Sequence, residues 1–308
     1  GAFVTEARRV SYLTSSRTLA RPRAASMPND SLVVFAAVDY DAPATGIRTG
    51  ADDAANPSGL ADAGGQAPAQ RGGGFAALPG TEAEATMLAT LGLPVRSFLG
   101  AEATEASLLA LDAPGRLHIA THGFFLNDAA ALETITGARS GTLSGSLGSG
   151  GAGEDTPVDE EQFADPLLRS GLALAGANRI GTDRVADDPD ATTDGIATAY
   201  ELASLDLRGT DLVVLSACET GLGEIEAGEG VLGLRRAFEV AGAETVVMSL
   251  WKVPDAATAA LMTAFYGALD DGRTKAEALR EAAAVVRAEE RWAHPYWWAA
   301  FVLAGATE

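Results

Sequence analysis

The sequence predicts an α/β fold with a mostly parallel central sheet, and three observations predict it. Short runs rich in Val, Ile and Leu alternate along the chain with segments of helical periodicity. The clearest runs, Leu32-Val33-Val34-Phe35-Ala36-Ala37-Val38 and Val213-Val214-Leu215, are apolar at consecutive positions, as suits strands covered on both faces. Two runs also deliver chemistry at their C-terminal ends. Leu117-His118-Ile119-Ala120-Thr121 leads into His122-Gly123, and Val213-Val214-Leu215-Ser216-Ala217 leads into Cys218.

In chain order, residues 1–40 carry β-type runs that end in the Leu32 strand. Residues 41–74 turn to Gly, Ala, Pro and Asp and predict a flexible loop. Thr81 followed by Glu84 reads as a capping box that opens a helix, with Ala85, Leu88 and Leu91 on one stripe. A short helix over 104–111 precedes the His strand. Residues 128–194 read as an acidic, Gly/Ser-rich insertion, with an ordered island over 167–175. After the Cys strand, 229–241 reads as an amphipathic helix, with Leu232, Leu234, Ala237 and Phe238 facing inward. A strand follows over 245–251. Asp255 can N-cap the next helix, which carries Ala259, Leu261, Met262 and Phe265. A helix over 275–290 and a strand over 298–304 close the chain.

Bulk properties exclude several classes. A chain of 308 residues with 47% hydrophobic content can bury a substantial core. Its net charge of −20 argues against nucleic-acid and anionic-membrane partners, and no apolar run reaches membrane-span length. The single cysteine rules out an internal disulfide and fits a reducing, cytoplasmic setting. Three histidines and no Cys pair argue against a metal centre. Gly228-Glu229-Gly230 lacks the Gly-Lys-Ser/Thr ending of a phosphate loop, so no cofactor is expected. The chain opens Gly1-Ala2-Phe3-Val4 without a Met, so it reads as a fragment.

Strand C-termini are where open α/β sheets place their ligands. There, Cys218 can act as a thiolate nucleophile with His122 as its proton carrier. The backbone N–H groups of Gly123 and Cys218 can form an oxyanion hole. A Cys and a His alone specify a site loosely, because a free Cys often serves as a small buried hydrophobe. His118 reads as a hydrogen-bonded structural residue sharing a strand face with His122, and His294 as part of an aromatic closing segment.

Four motifs in order narrow the reading. They are His122-Gly123, Ser216-Ala217-Cys218-Glu219-Thr220-Gly221, Ser249-Leu250-Trp251-Lys252-Val253-Pro254-Asp255 and His294-Pro295-Tyr296-Trp297-Trp298-Ala299-Ala300-Phe301. Together they resemble the CHAT domain, a caspase-like peptidase module related to separase and the caspases. The resemblance implies a caspase-like α/β/α sandwich over 1–308 as a single domain, incomplete at its N-terminus. It implies a His122–Cys218 dyad with an oxyanion donor at Gly123. By analogy with separase, Asp255 becomes the acid of a pocket for Arg or Lys before the scissile bond. Trp251 would wall that pocket, and Ser249 to Trp251 would pair with substrate backbone. The implied function is a cysteine endopeptidase in bacterial-style regulation or defence. Its partners would be one protein substrate and an upstream helical-repeat or sensor region. The alternative is a catalytically silent interaction module on the same fold.

Overall fold

A computed structural model describes residues 31–43, 74–125, 167, 170–179, 194–216 and 229–307. Six strands form the central sheet: β1 (Leu32–Ala36), β2 (Val95–Leu99), β3 (Arg116–Ile119), β7 (Leu212–Leu215), β8 (Thr245–Ser249) and β9 (Phe301–Gly305). Their order is β2-β1-β3-β7-β8-β9. All neighbours run parallel except β8 and β9, so the sheet is mostly parallel, as the sequence predicts.

The consecutive apolar runs have a direct explanation in the packing. Along β1, Leu32, Val34 and Ala36 enter one core, while Val33 and Phe35 enter the other. Val213 and Leu215 of β7 likewise oppose Leu212 and Val214. A strand covered on both faces has no polar side to show. One face is covered by α1 (Pro79–Leu88), α5 (Asp255–Asp270) and α6 (Lys275–Ala288). The other is covered by α4 (Glu229–Ala241) and by a small antiparallel sheet of β4 (Gly123–Phe125), β5 (Ser170–Ala173) and β6 (Ile196–Thr198). Two short α-helices, α2 (Glu105–Leu109) and α3 (Ala199–Leu202), lie between these elements. The result is a caspase-like α/β/α sandwich.

Most predicted elements fall where the periodicity puts them. The 229–241 helix coincides with α4, where Leu234, Ala237 and Phe238 are buried. Strand β5 lies within the expected island at 167–175. Most of 41–74, the rest of 128–194, and Cys218 with Glu219 lie outside the described residues.

Three local readings are corrected. The Thr81–Glu84 capping box does not form, because Pro79 suits the first helical turn and starts α1 earlier, with Leu78 at the N-cap. Thr81 Oγ1 instead donates to the Leu78 carbonyl and accepts the Ala37 N–H at 2.9 Å, while Glu84 points into the core. Asp255 does not N-cap its own helix either; Pro254 holds that position and Asp255 is the first helical residue. Finally, β3 ends at Ile119, so His118 and His122 do not share a strand face. True capping boxes occur at Thr198–Glu201 and Thr274–Glu277.

Candidate active site

The site is built at the C-terminal ends of β3 and β7. Ser216 N–H donates to the Ile119 carbonyl at 3.1 Å, which keeps the two strands together one residue past the end of β7.

His122 is 3% exposed and leaves β3 three residues after its end. Its main chain is tied on both sides: the N–H points to the Tyr40 hydroxyl at 3.4 Å, and the carbonyl accepts the Ala173 N–H at 2.9 Å. The imidazole packs near Tyr40 and Phe75, with ring centroids 5.1 and 5.6 Å away. Its Nε2 lies 2.7 Å from the Ala76 carbonyl. A carbonyl only accepts, so Nε2 carries the proton, and in the neutral ring the basic lone pair sits on Nδ1.

Burial holds the His122 imidazole below its ordinary value of 6.5. The Ala76 carbonyl works against this by stabilising the charged ring. Lys252 adds to the depression, and Asp255 opposes it. The segment Trp251-Lys252-Val253-Pro254-Asp255 therefore reaches His122 through two charges of opposite sign.

That loop is rigidly held. Trp251 Nε1 donates to the Tyr296 carbonyl at 2.9 Å, and the Tyr296 hydroxyl donates to the Lys252 carbonyl at 2.9 Å. The aromatic closing motif thus braces the loop, while His294 Nδ1 accepts the Tyr296 N–H in a local cap. Ser249 is buried, and its hydroxyl donates to the Trp251 carbonyl. Ser249 pairs with Phe301, and Leu250 N–H donates to the Ala300 carbonyl at 2.9 Å, so β9 occupies that edge of the segment. Asp255 Oδ2 accepts the Gly80 N–H at 2.9 Å and so caps α1 from outside. A Cβ at position 80 would lie 2.1 Å from the Asp255 Cβ, which explains the glycine.

Gly123 opens β4 opposite Leu172. The Ala173–His122 bond makes the preceding pair the hydrogen-bonded one. By the alternation of an antiparallel ladder, the Gly123 N–H points away from β5.

A second polar group lies on the helical side of β3. His118 is fully buried, with Nδ1 3.0 Å from the Tyr266 hydroxyl and Nε2 3.1 Å from Glu84 Oε1, the latter off the line of a good hydrogen bond. Glu84 Oε2 accepts the Ser216 hydroxyl at 3.0 Å. Burial, reinforced by the Glu84 charge, pushes the Tyr266 phenol far up, so it stays protonated beside His118 Nδ1.

The sequence singles out His122 as a candidate but gives no sign of Tyr40, Phe75 and Ala76 around it or of the charge of Lys252 acting on it. Ala76 acts through a main-chain carbonyl, which leaves no trace in residue type. Among the described residues no cluster of His, Cys, Asp and Glu could hold a metal ion, and no helix is long and apolar enough to cross a membrane.

Fold and site together define a caspase-like domain with a histidine at the C-terminal end of its central sheet. Residues 1–306 match the CHAT domain family, and the chain belongs to that family. It is 32% identical over 231 residues to tetratricopeptide repeat protein 28 of Mus musculus, covering 74% of this chain and 9% of that protein. It is 40% identical over 111 residues to tetratricopeptide repeat protein 28 of Homo sapiens, covering 36% and 4%. The chain thus spans less than a tenth of the length of these relatives.

Proposed function

We propose that this domain is a cysteine endopeptidase with a His122–Cys218 dyad. The observation that carries the proposal is the Nε2–H contact of His122 with the Ala76 carbonyl, which fixes the ring's tautomer and puts the basic lone pair on Nδ1. Cys218 gives its proton to His122 and attacks the scissile carbonyl. The oxyanion is met by the N–H groups of Gly123 and Cys218. His122 then protonates the leaving amine, and water hydrolyses the thioester with the same imidazole as base.

Asp255 selects a basic residue before the scissile bond. Its Oδ2 is shared with the Gly80 N–H, which holds the carboxylate in place. Trp251 walls the pocket. Ser249 supports it from behind by holding the Trp251 carbonyl, and substrate backbone pairs along the edge of 249–251 not taken by β9. The substrate is one partner protein in a reducing, cytoplasmic setting, and an upstream repeat or sensor region controls access in regulation or defence. The relatives named as repeat proteins support such a neighbour.

Those same names denote a repeat and no enzyme, which favours a second reading as a silent peptide-binding module. One experiment separates the two. A fluorogenic peptide library varied at the residue before the scissile bond is cleaved by the wild type and not by Cys218→Ala. Absence of Cys218-dependent cleavage, with peptide binding retained in both proteins, would select the binding module.

A further inference from the structure

We infer that Asn178 is a positioning residue for His122, acting through the main chain on both sides of the imidazole. Asn178 sits in a 3-10 turn (Ala177–Arg179) that follows β5. Its side-chain amide grips the Phe75 main chain twice, with Oδ1 accepting the Phe75 N–H at 2.5 Å and Nδ2 donating to the Phe75 carbonyl at 3.0 Å. Its own N–H donates to the Tyr40 carbonyl at 2.9 Å. Phe75 and Tyr40 are the two rings packed near His122. Ala76, whose carbonyl fixes Nε2–H, is the residue directly after Phe75.

One side chain therefore does for residue 75 what a neighbouring strand would do. Residues 74–78 belong to no helix or strand, and nothing else described donates to or accepts from the Phe75 main chain. Such a segment holds one conformation only if its polar backbone groups find fixed partners. The fit is close: a Cβ on Gly74 would lie 2.6 Å from Asn178 Oδ1. Nδ2 is in turn anchored by Asp41 Oδ1 at 3.1 Å.

The test is the exchange behaviour of the His122 Nε2–H proton, read by NMR on the 15N-histidine-labelled chain. Only three histidines need assigning, by single substitution of each. The wild type is expected to show a protected Nε2–H at His122, whether the ring is neutral or charged. Asn178→Ala removes the grip, and Gly74→Ala displaces it from the other side. Both are expected to speed Nε2–H exchange at least about tenfold while His118, on the opposite face of the sheet, keeps its signals. Unchanged protection in both variants would overturn the inference. The kinetic arm rests on the peptidase reading: kcat should fall roughly 10- to 100-fold with KM held within about twofold, as misplacement of a reacting group demands. If the wild type cleaves nothing, the peptidase reading fails and the exchange result still decides the role of Asn178.

Discussion

Two histidines four residues apart, one inside a strand and one just past its end, have opposite fates. His118 lies inside β3, and the pleat turns it toward α1 and α5, where a phenol and a carboxylate face its two nitrogens. His122 lies past the strand end, where its Nε2 meets a main-chain carbonyl and its ring packs near two aromatic residues. Inside a sheet, a polar ring must be matched by side chains on the covering helices, which ties its cost to stability. At a strand end the ring is set by loop backbone, so its tautomer is chosen by a main-chain carbonyl. The difference lies in where the strand stops and not in residue type.

The sharpest way to break this comparison is to substitute each histidine in turn. If the peptidase reading holds, His122→Asn is expected to lower kcat/KM at least about 1000-fold while shifting the unfolding midpoint little. His118→Gln should do the reverse, with a large loss of stability and, in the folded fraction, modest loss of rate. Steady-state kinetics and urea unfolding on both proteins check this. Equal effects of the two substitutions on stability would erase the distinction.

The next largest effect belongs to Glu84. Its carboxylate joins α1 to His118 of β3 and to Ser216 at the end of β7. Glu84→Ala strips a buried group that touches three elements and is expected to cost about 3 kcal/mol in urea unfolding, as leaving buried polar partners unsatisfied does. A cost under about 1 kcal/mol would mean the group is not a shared anchor.

Glu84 also marks the limit of what the sequence discloses. The strands were legible because two-sided burial writes itself as unbroken Val, Ile and Leu, and His122 was legible because it follows such a run. Thr-x-x-Glu, however, reads the same whether it caps a helix or buries its glutamate. Only tertiary packing, with His118 and Ser216 waiting across the core, decides between the two. Strand β2 left a weak trace for a related reason: it is an edge strand, half-buried and interrupted by Arg96 and Ser97. Ala76 and Asn178 act on or through main-chain atoms, so no pattern of side-chain types announces them.

Asp255 tests whether the loop at the His122 end has a structural part of its own. Asp255→Ala frees the Gly80 N–H at the start of α1 and is expected to cost about 1 kcal/mol, the usual worth of a helix cap. Asp255→Asn keeps an oxygen acceptor and should cost less than half of that. If the pocket reading holds, both variants lose their preference for Arg and Lys, because that preference needs the charge. Loss of stability and loss of selectivity then separate in one pair of proteins.

The smallest effects are shifts in pH dependence, and their signs are fixed by the site. Burial and Lys252 hold His122 below 6.5 in the folded chain. Between its folded value and 6.5, the unfolded chain binds a proton that the folded chain refuses. Stability contributed by this residue is therefore full above 6.5 and declines as pH falls through that window. On the peptidase reading, the acid limb of kcat/KM should lie below the ordinary histidine value for the same reason. Lys252→Met removes a positive charge and should move the limb upward; Asp255→Asn removes a negative one and should move it downward. NMR titration of the histidines in the two variants checks both signs, and a shift of the same direction in both would show that neither charge reaches the ring.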